Sequence, residues 1–187
     1  MKLDGNTKKL TVKTIGHSTH SLDEFIKILE AHGVKKVVDV RTIPRSRHNP
    51  QFNKDVLAKG LGKIGYIHIS GLGGLRRAKE DSLNTGWKNA SFRGFADYMQ
   101  TEEFEKNLEK LIEMACKKQV AIMCAETVPW RCHRSLIADA LTVRKIHVEH
   151  IYSATSVKTH ELTQFAKVDG MKITYPADTA AQKGLWG

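Results

Sequence analysis

Long hydrophobic runs are missing from this sequence. The longest, such as Val120–Cys124, fall far short of the roughly 20 apolar residues that a membrane-spanning helix needs. Cysteine is scarce too: Cys116, Cys124 and Cys132 are the only three in 187 residues. An odd number of thiols, in a chain long enough to bury its own core, points to reduced cysteines in a cytoplasmic setting rather than to a disulfide framework. Proline numbers 4 and glycine 14, with no repeat and no sustained heptads, which excludes collagen, coiled coil and low-complexity disorder. The opening Met-Lys-Leu-Asp-Gly-Asn-Thr-Lys-Lys lacks the apolar stretch of about 7 to 15 residues that marks a secretory signal.

Acidic residues are also in deficit. The 20 Asp and Glu stand against 30 Lys and Arg, a net charge of +10. Eight of those charges arise from residues 41–93, which hold eleven Lys and Arg against Asp55, Glu80 and Asp81. Such a basic segment attracts phosphorylated molecules, whether small ligands or nucleic acid. A merely solvated charged face would carry the same composition.

The hydrophobic pattern predicts one α/β domain over residues 1–187, with a weakly structured N-terminal segment (1–9) and a C-terminal extension (153–187). Strands are expected at 10–15, 36–40, 66–69, 120–124 and 148–152. Ser21-Leu-Asp-Glu24 forms a capping box, and Leu22, Phe25, Ile26 and Leu29 then recur at helical spacing up to Gly33. Further helices are expected at 54–61, 94–99, 101–117 and 133–142, the third of these capped by Thr101 ahead of Glu102, Glu103 and Glu105. In the extension, 162–166 reads as helical and 172–175 as a short strand, while 75–91 reads as a long loop. Strands alternating with helices predict an open, mostly parallel sheet of about five strands flanked by helices. Ligands of such sheets bind beyond the carboxyl ends of the strands.

The chemistry-bearing residues fall at those ends. After the first strand come Gly16, His17, Ser18, Thr19 and His20; after the second, Asp39 and Arg41; after the third, His68, Gly71, Gly73 and Gly74; after the fourth, Cys124, Glu126, Cys132, His133 and Arg134. Glu126 and His17 are the candidate proton carriers, with His133 and Asp39 tuning them. An N-terminal cap or an ion pair with Arg41 or Arg134 is the competing account of Glu126. Cys124 reads either as a thiolate nucleophile near a helix start or as small core packing. Six residues separate Cys124 from Arg131, one more than the Cys-x5-Arg loop of tyrosine phosphatases, so that match fails. Arg41, Arg45, Arg76 and Arg134, with Ser18, Gly73 and Gly74, are the candidate anion-binding set, and Trp87, Phe92 and Trp130 could stack on bases or simply plug the loops. Cys124, Glu126, Cys132, His133, His17 and His20 include ligand types that zinc or iron accepts. No paired Cys-x-x-Cys or His-x-x-x-His accompanies them, so no cofactor is required and no metal site is assigned.

These motifs, together with Pro44-Arg-Ser46, Phe52, Tyr66, Leu72-Gly-Gly74, Phe95, Tyr98-Met99, Phe104, His150-Ile151 and Tyr175-Pro176, resemble the family catalogued as domain of unknown function 488. The likeness runs over nearly the whole chain. It implies an intracellular α/β protein and names no reaction. A looser similarity to rhodaneses rests on Asp39-Val-Arg41 and on a cysteine closing a later strand, without the rhodanese cysteine loop.

The leading expectation is an enzyme acting on a phosphate-bearing substrate, a nucleotide or nucleic acid, at the carboxyl edge of the sheet. The alternatives are a non-catalytic nucleic-acid binder and a metal-dependent hydrolase or redox protein. The binder predicts affinity that falls steeply with salt and survives Glu126→Gln combined with Cys124→Ser; binding that ignores salt would count against it.

Overall fold

The computed structural model describes residues 9–177. The expected weak segment 1–9 lies outside the described residues except at Lys9, as does the end of the C-terminal extension. Eight strands and five α-helices follow in order along the described residues: β1 (Thr11–Gly16), α1 (Leu22–Ala31), β2 (Lys36–Asp39), α2 (Lys54–Gly60), β3 (Gly65–His68), α3 (Ala90–Tyr98), α4 (Glu102–Lys117), β4 (Val120–Cys124), α5 (Arg134–Val143), β5 (His147–Ser153), β6 (Ser156–Thr159), β7 (Lys167–Asp169) and β8 (Lys172–Thr174). The main sheet has the order β3-β2-β4-β1-β5-β6. Its first five strands are parallel, and β6 is an antiparallel edge.

Burial explains the layering. The central strand β4 is buried along its whole length, as a parallel strand covered on both faces must be. On one face Ile15, Val37, Ala121, Met123 and Ile151 pack against Phe25 and Leu29 of α1 and Leu57 of α2. On the other, Val12, Val38, Ile122 and Val148 pack against Phe95 of α3, Phe104 and Leu108 of α4, and Leu136 and Ile137 of α5. The caps are as the sequence predicts: the Ser21 hydroxyl accepts from Glu24 N–H and the Thr101 hydroxyl from Phe104 N–H, each at 3.2 Å.

Four expectations change. The main sheet has six strands, because residues 156–159 return against β5. That strand is exposed throughout, so it carries no hydrophobic signature. Residues 162–166 form a loop with a turn instead of a helix, and β8 pairs with an unexpected β7 in a separate hairpin. Helix α3 starts at Ala90, because the Asn89 side chain accepts from the N–H groups of Ser91 and Phe92 and caps it. No helix among the described residues is long and apolar enough to cross a membrane.

The topology opens a crevice. From β2 the chain moves outward to β3, and from β4 it crosses over β1 to β5, so the carboxyl ends of β2, β4 and β1 lie side by side while their connections diverge. Beyond β1 and β4 the pairing continues into the loops, with His17 N–H donating to Cys124 O (2.9 Å) and Ser18 N–H to Ala125 O (3.0 Å). Gly16 permits this approach. A Cβ there would stand 1.8 Å from the Glu126 carbonyl oxygen and 2.9 Å from Thr127 Cα, both fixed backbone. Gly16→Ala should therefore cost about 3 kcal/mol or more by overpacking, read as a lower urea midpoint; an unchanged midpoint would show that the β4 loop can retreat.

Candidate functional site

A cleft of about 370 Å³ opens at those strand ends, lined by residues from five separate segments of the chain: His17, the stretch Arg41 to Ser46, Gly74 and Leu75, Ser91 and Phe92, and the β4 loop from Cys124 to Glu126 and from Arg131 to His133. His17, Arg41, Arg45, Gly74, Cys124, Glu126 and His133 thus meet in one place, as the strand-end pattern predicts. Cys132, named among the strand-end residues, and Phe92, a candidate stacking side chain, line it too, and Arg131, Ile43 and Leu75 join them without having been assigned there.

The floor is built around a buried ion pair. Asp39, wholly buried at the end of β2, accepts from Arg41 Nε (2.9 Å), Nη2 (2.6 Å) and backbone N–H (3.1 Å), and from the Tyr66 hydroxyl (2.7 Å). Arg41 Nη2 also reaches Phe52 O, and its Nη1 points at His17 Nε2 (3.3 Å). The His17 ring stacks on Phe52 with centroids 4.2 Å apart. Because His17 Nδ1 faces the Ser18 carbonyl at 2.9 Å, that nitrogen carries the proton and Nε2 accepts from Arg41. Burial is the main reason its pKa falls to about 4, Arg41 and Arg134 adding to it against the Ser18 hydrogen bond and Asp39. His17 is neutral at pH 7 with both nitrogens engaged. It orients Arg41, and so does Asp39, which does not line the cleft.

The other wall holds two thiols. Cys124 and Cys132 are buried with their Sγ atoms 2.7 Å apart. Cys132 stands just ahead of α5, where the Arg134 N–H points to its sulfur at 3.5 Å. His133 Nε2 lies 3.0 Å from the Val40 carbonyl, so it must donate there, which leaves the Nδ1 lone pair facing Cys132 Sγ at 3.6 Å. Phe95 meets the His133 ring edge-to-face. Gly74 leaves it room, since a Cβ there would come within 2.5 Å of Nδ1. A thiol, an imidazole and a carbonyl orienting the imidazole are therefore aligned, the arrangement that can activate a thiol. Burial opposes ionisation of Cys132, but hydrogen bonds from Cys124 and His133 and the positive charge of His133 and Arg134 hold it well below the ordinary thiol range. Burial, with Cys132 beside it, pushes Cys124 well above that range. Ionisation is thus favoured at Cys132 and opposed at Cys124.

The arginines divide into two groups. Arg134 is 1% exposed and faces inward, donating to Thr14 Oγ1 (3.2 Å), Glu126 O (2.6 Å) and Thr127 O (3.3 Å). Arg76 lies 3.6 Å over the Tyr98 ring and donates to the Gly73 and Gly71 carbonyls, away from the cleft. By contrast, Arg45 and Arg131 are exposed on the cleft and, among the described residues, make no side-chain hydrogen bond or ion pair. Ser18 (φ 48°) turns the chain after β1, and Gly73 packs on Thr42; neither lines the cleft. The Glu126 side chain is exposed on the cleft and, among the described residues, ion-paired with neither Arg41 nor Arg134. Trp87 packs with Phe92, Phe165 and Tyr175 as a plug, while Trp130 is exposed outside this cleft. Among the described residues no three His, Cys, Asp or Glu side chains gather as a metal site.

Residues 21–141 match the family described as Domain of unknown function DUF488. The chain belongs to that family. The match runs from α1 almost to the end of α5 and takes in every cleft residue except His17. No curated protein and no solved structure matches the chain. For this DUF488 protein the chemistry must therefore be argued from its own side chains.

A lowered Cys132 has a direct readout. The thiolate is the reactive form, so alkylation by iodoacetamide should already proceed at neutral pH and slow only as the pH drops through the lowered value. Cys124 should stay unmodified until alkaline pH, and His133→Gln should move the Cys132 midpoint upward. Peptide mapping that finds Cys132 reacting only above about pH 8, like a free thiol, would remove the assignment.

Proposed function

We propose that the protein is a thiol-dependent enzyme that hydrolyses a small phosphate-bearing substrate, a nucleotide or the end of a nucleic-acid strand, at the carboxyl edge of its sheet. The observation that carries this reading is the Cys132–His133 pair in one cleft with Arg45 and Arg131, whose guanidiniums have no partner among the described residues. The volume of about 370 Å³ is near the small end of ligand pockets, roughly 300 to 1,000 Å³. That size suits a mononucleotide-sized group better than a length of duplex. Arg45 and Arg131 take the phosphate, and Ile43, Leu75 and Phe92 cover the organic part. A reducing compartment, such as the cytoplasm, keeps the nucleophile available.

In this reading the Cys132 thiolate attacks phosphorus, an S–P bond forms and the ester P–O bond breaks. The leaving oxygen takes the proton that Cys132 gave to His133. Water then attacks the thiophosphoryl intermediate while Glu126 carboxylate accepts its proton, and Cys132 departs as thiolate. Arg41, fixed by Asp39 and His17, shapes the floor.

The test is hydrolysis of a panel of phosphate monoesters, nucleotides included, by the reduced protein. Cys132→Ser should lower kcat by about 10³-fold or more. Arg45→Gln and Arg131→Gln should each raise KM about tenfold, with kcat less affected. A panel in which nothing is turned over, or a Cys132→Ser variant as active as the parent, would sink the proposal.

A further inference from the structure

Hydrolysis at Cys132 leaves Cys124 without a chemical role, although the two sulfurs are neighbours. We infer that Cys124 and Cys132 form a dithiol–disulfide couple, oxidised by hydroperoxides and reduced by external thiols; the first step rests on the Cys132 thiolate assigned above. The geometry carries this. The sulfurs stand 2.7 Å apart across the β4 loop, and a disulfide bond of roughly 2.05 Å asks for a further approach of only about 0.7 Å. Both line the same cleft, so an oxidant small enough to enter meets Cys132 where substrate would. Cys124 is protonated and 3% exposed, with its S–H shared between Cys132 and the Glu126 carbonyl. It is sheltered from direct oxidation yet next to the sulfur that reacts.

The steps balance. Cys132 thiolate attacks one peroxide oxygen, the S–O bond forms as the O–O bond breaks, and the other oxygen leaves as alcohol or water with the proton that His133 holds. Sulfur has lost two electrons and the peroxide has gained them. Cys124 sulfur then attacks the Cys132 sulfenic acid, the S–O bond breaks, and the departing hydroxide leaves as water with the Cys124 proton. Two equivalents of a low-molecular-weight thiol, or one dithiol, restore both cysteines by exchange. While the bond exists Cys132 is no nucleophile, so the phosphate chemistry stops. Condensation with a neighbour already in contact also protects Cys132 from irreversible oxidation to the sulfinic acid.

The experiment treats the reduced full-length protein with hydrogen peroxide in the presence of dimedone, which traps sulfenic acids, followed by intact mass and peptide mapping. The parent protein should lose two hydrogens, give a peptide joining Cys124 to Cys132, carry little dimedone and recover on dithiothreitol. Cys124→Ser should instead accumulate the dimedone adduct on Cys132, and Cys116→Ser should behave as the parent. If the parent carries as much adduct as Cys124→Ser and forms no crosslink, the couple is overturned while the reactive Cys132 stands. If neither protein is oxidised or trapped at Cys132, both the couple and the thiolate beneath it fail. Measuring the parent itself keeps the test valid should the Cys124 variant fold poorly.

Discussion

A guanidinium without a carboxylate holds this site together. Arg134 is sealed behind the β4 loop and, among the described residues, makes no ion pair; Thr14 Oγ1 and two loop carbonyls receive its N–H groups, and its Nε has no partner. A charge removed from water and met only by neutral dipoles is expensive to bury. Its charge assists ionisation of Cys132 after the hydrogen bonds from Cys124 and His133 and the charge of His133, while its N–H groups hold the Glu126 and Thr127 carbonyls and so fix the shape of the loop. The same charge helps keep His17 and His150 neutral.

Behind Arg134 runs a hydrogen-bonded chain with one consistent direction. Thr14 Oγ1 accepts from Arg134 and donates to His150 Nδ1 (2.7 Å), His150 Nε2 donates to His160 Nδ1 (2.9 Å), and His160 Nε2 donates to Asp139 (2.8 Å). The Tyr175 hydroxyl and Thr163 complete the Asp139 shell. Burial above all, then His160, Arg134 and Lys158, lowers His150 to about 3. Protonating it would turn Nδ1 into a donor aimed at a hydroxyl that Arg134 already serves. The network therefore has a fixed sense and orients Arg134 from the side remote from the cleft. It also explains how segments near the C-terminus, which look weak in hydrophobic pattern, belong to the architecture: His160, Thr163 and Tyr175 are tied in by polar bonds to one carboxylate.

Hydrophobic periodicity and caps made the layered fold legible, because β4 is apolar throughout and Ser21 and Thr101 cap by side-chain chemistry visible in the sequence. The convergence of His17, Arg41 and Glu126 followed from topology alone, since parallel strands deliver their carboxyl ends to one rim. What escaped was direction. An arginine beside a helix start reads as an anion ligand, and only packing shows that Arg134 turns inward and that Arg76 lies on Tyr98. The sequence reading gives the nucleophile to Cys124 and not to Cys132, because which of two adjacent sulfurs ionises depends on the amide, imidazole and guanidinium around each, which the sequence does not show. Strands β6 and β7 escaped for another reason: exposed strands have no apolar face to betray them.

The division among the arginines gives the positive charge its meaning. Arg41, Arg76 and Arg134 lie in the basic segment or beside the thiols, yet their guanidiniums are engaged by Asp39, by Tyr98 with backbone carbonyls, and by the β4 loop. A fixed cation of this kind shapes a site and tunes its neighbours, but moving it onto a ligand would leave buried acceptors unmet. Among the described residues Arg45 and Arg131 carry no such obligation, and they line the same cleft as both sulfurs. Composition registers all five alike. Among the described residues, Arg45 and Arg131 are the two of these five that can meet an arriving anion without giving up a partner.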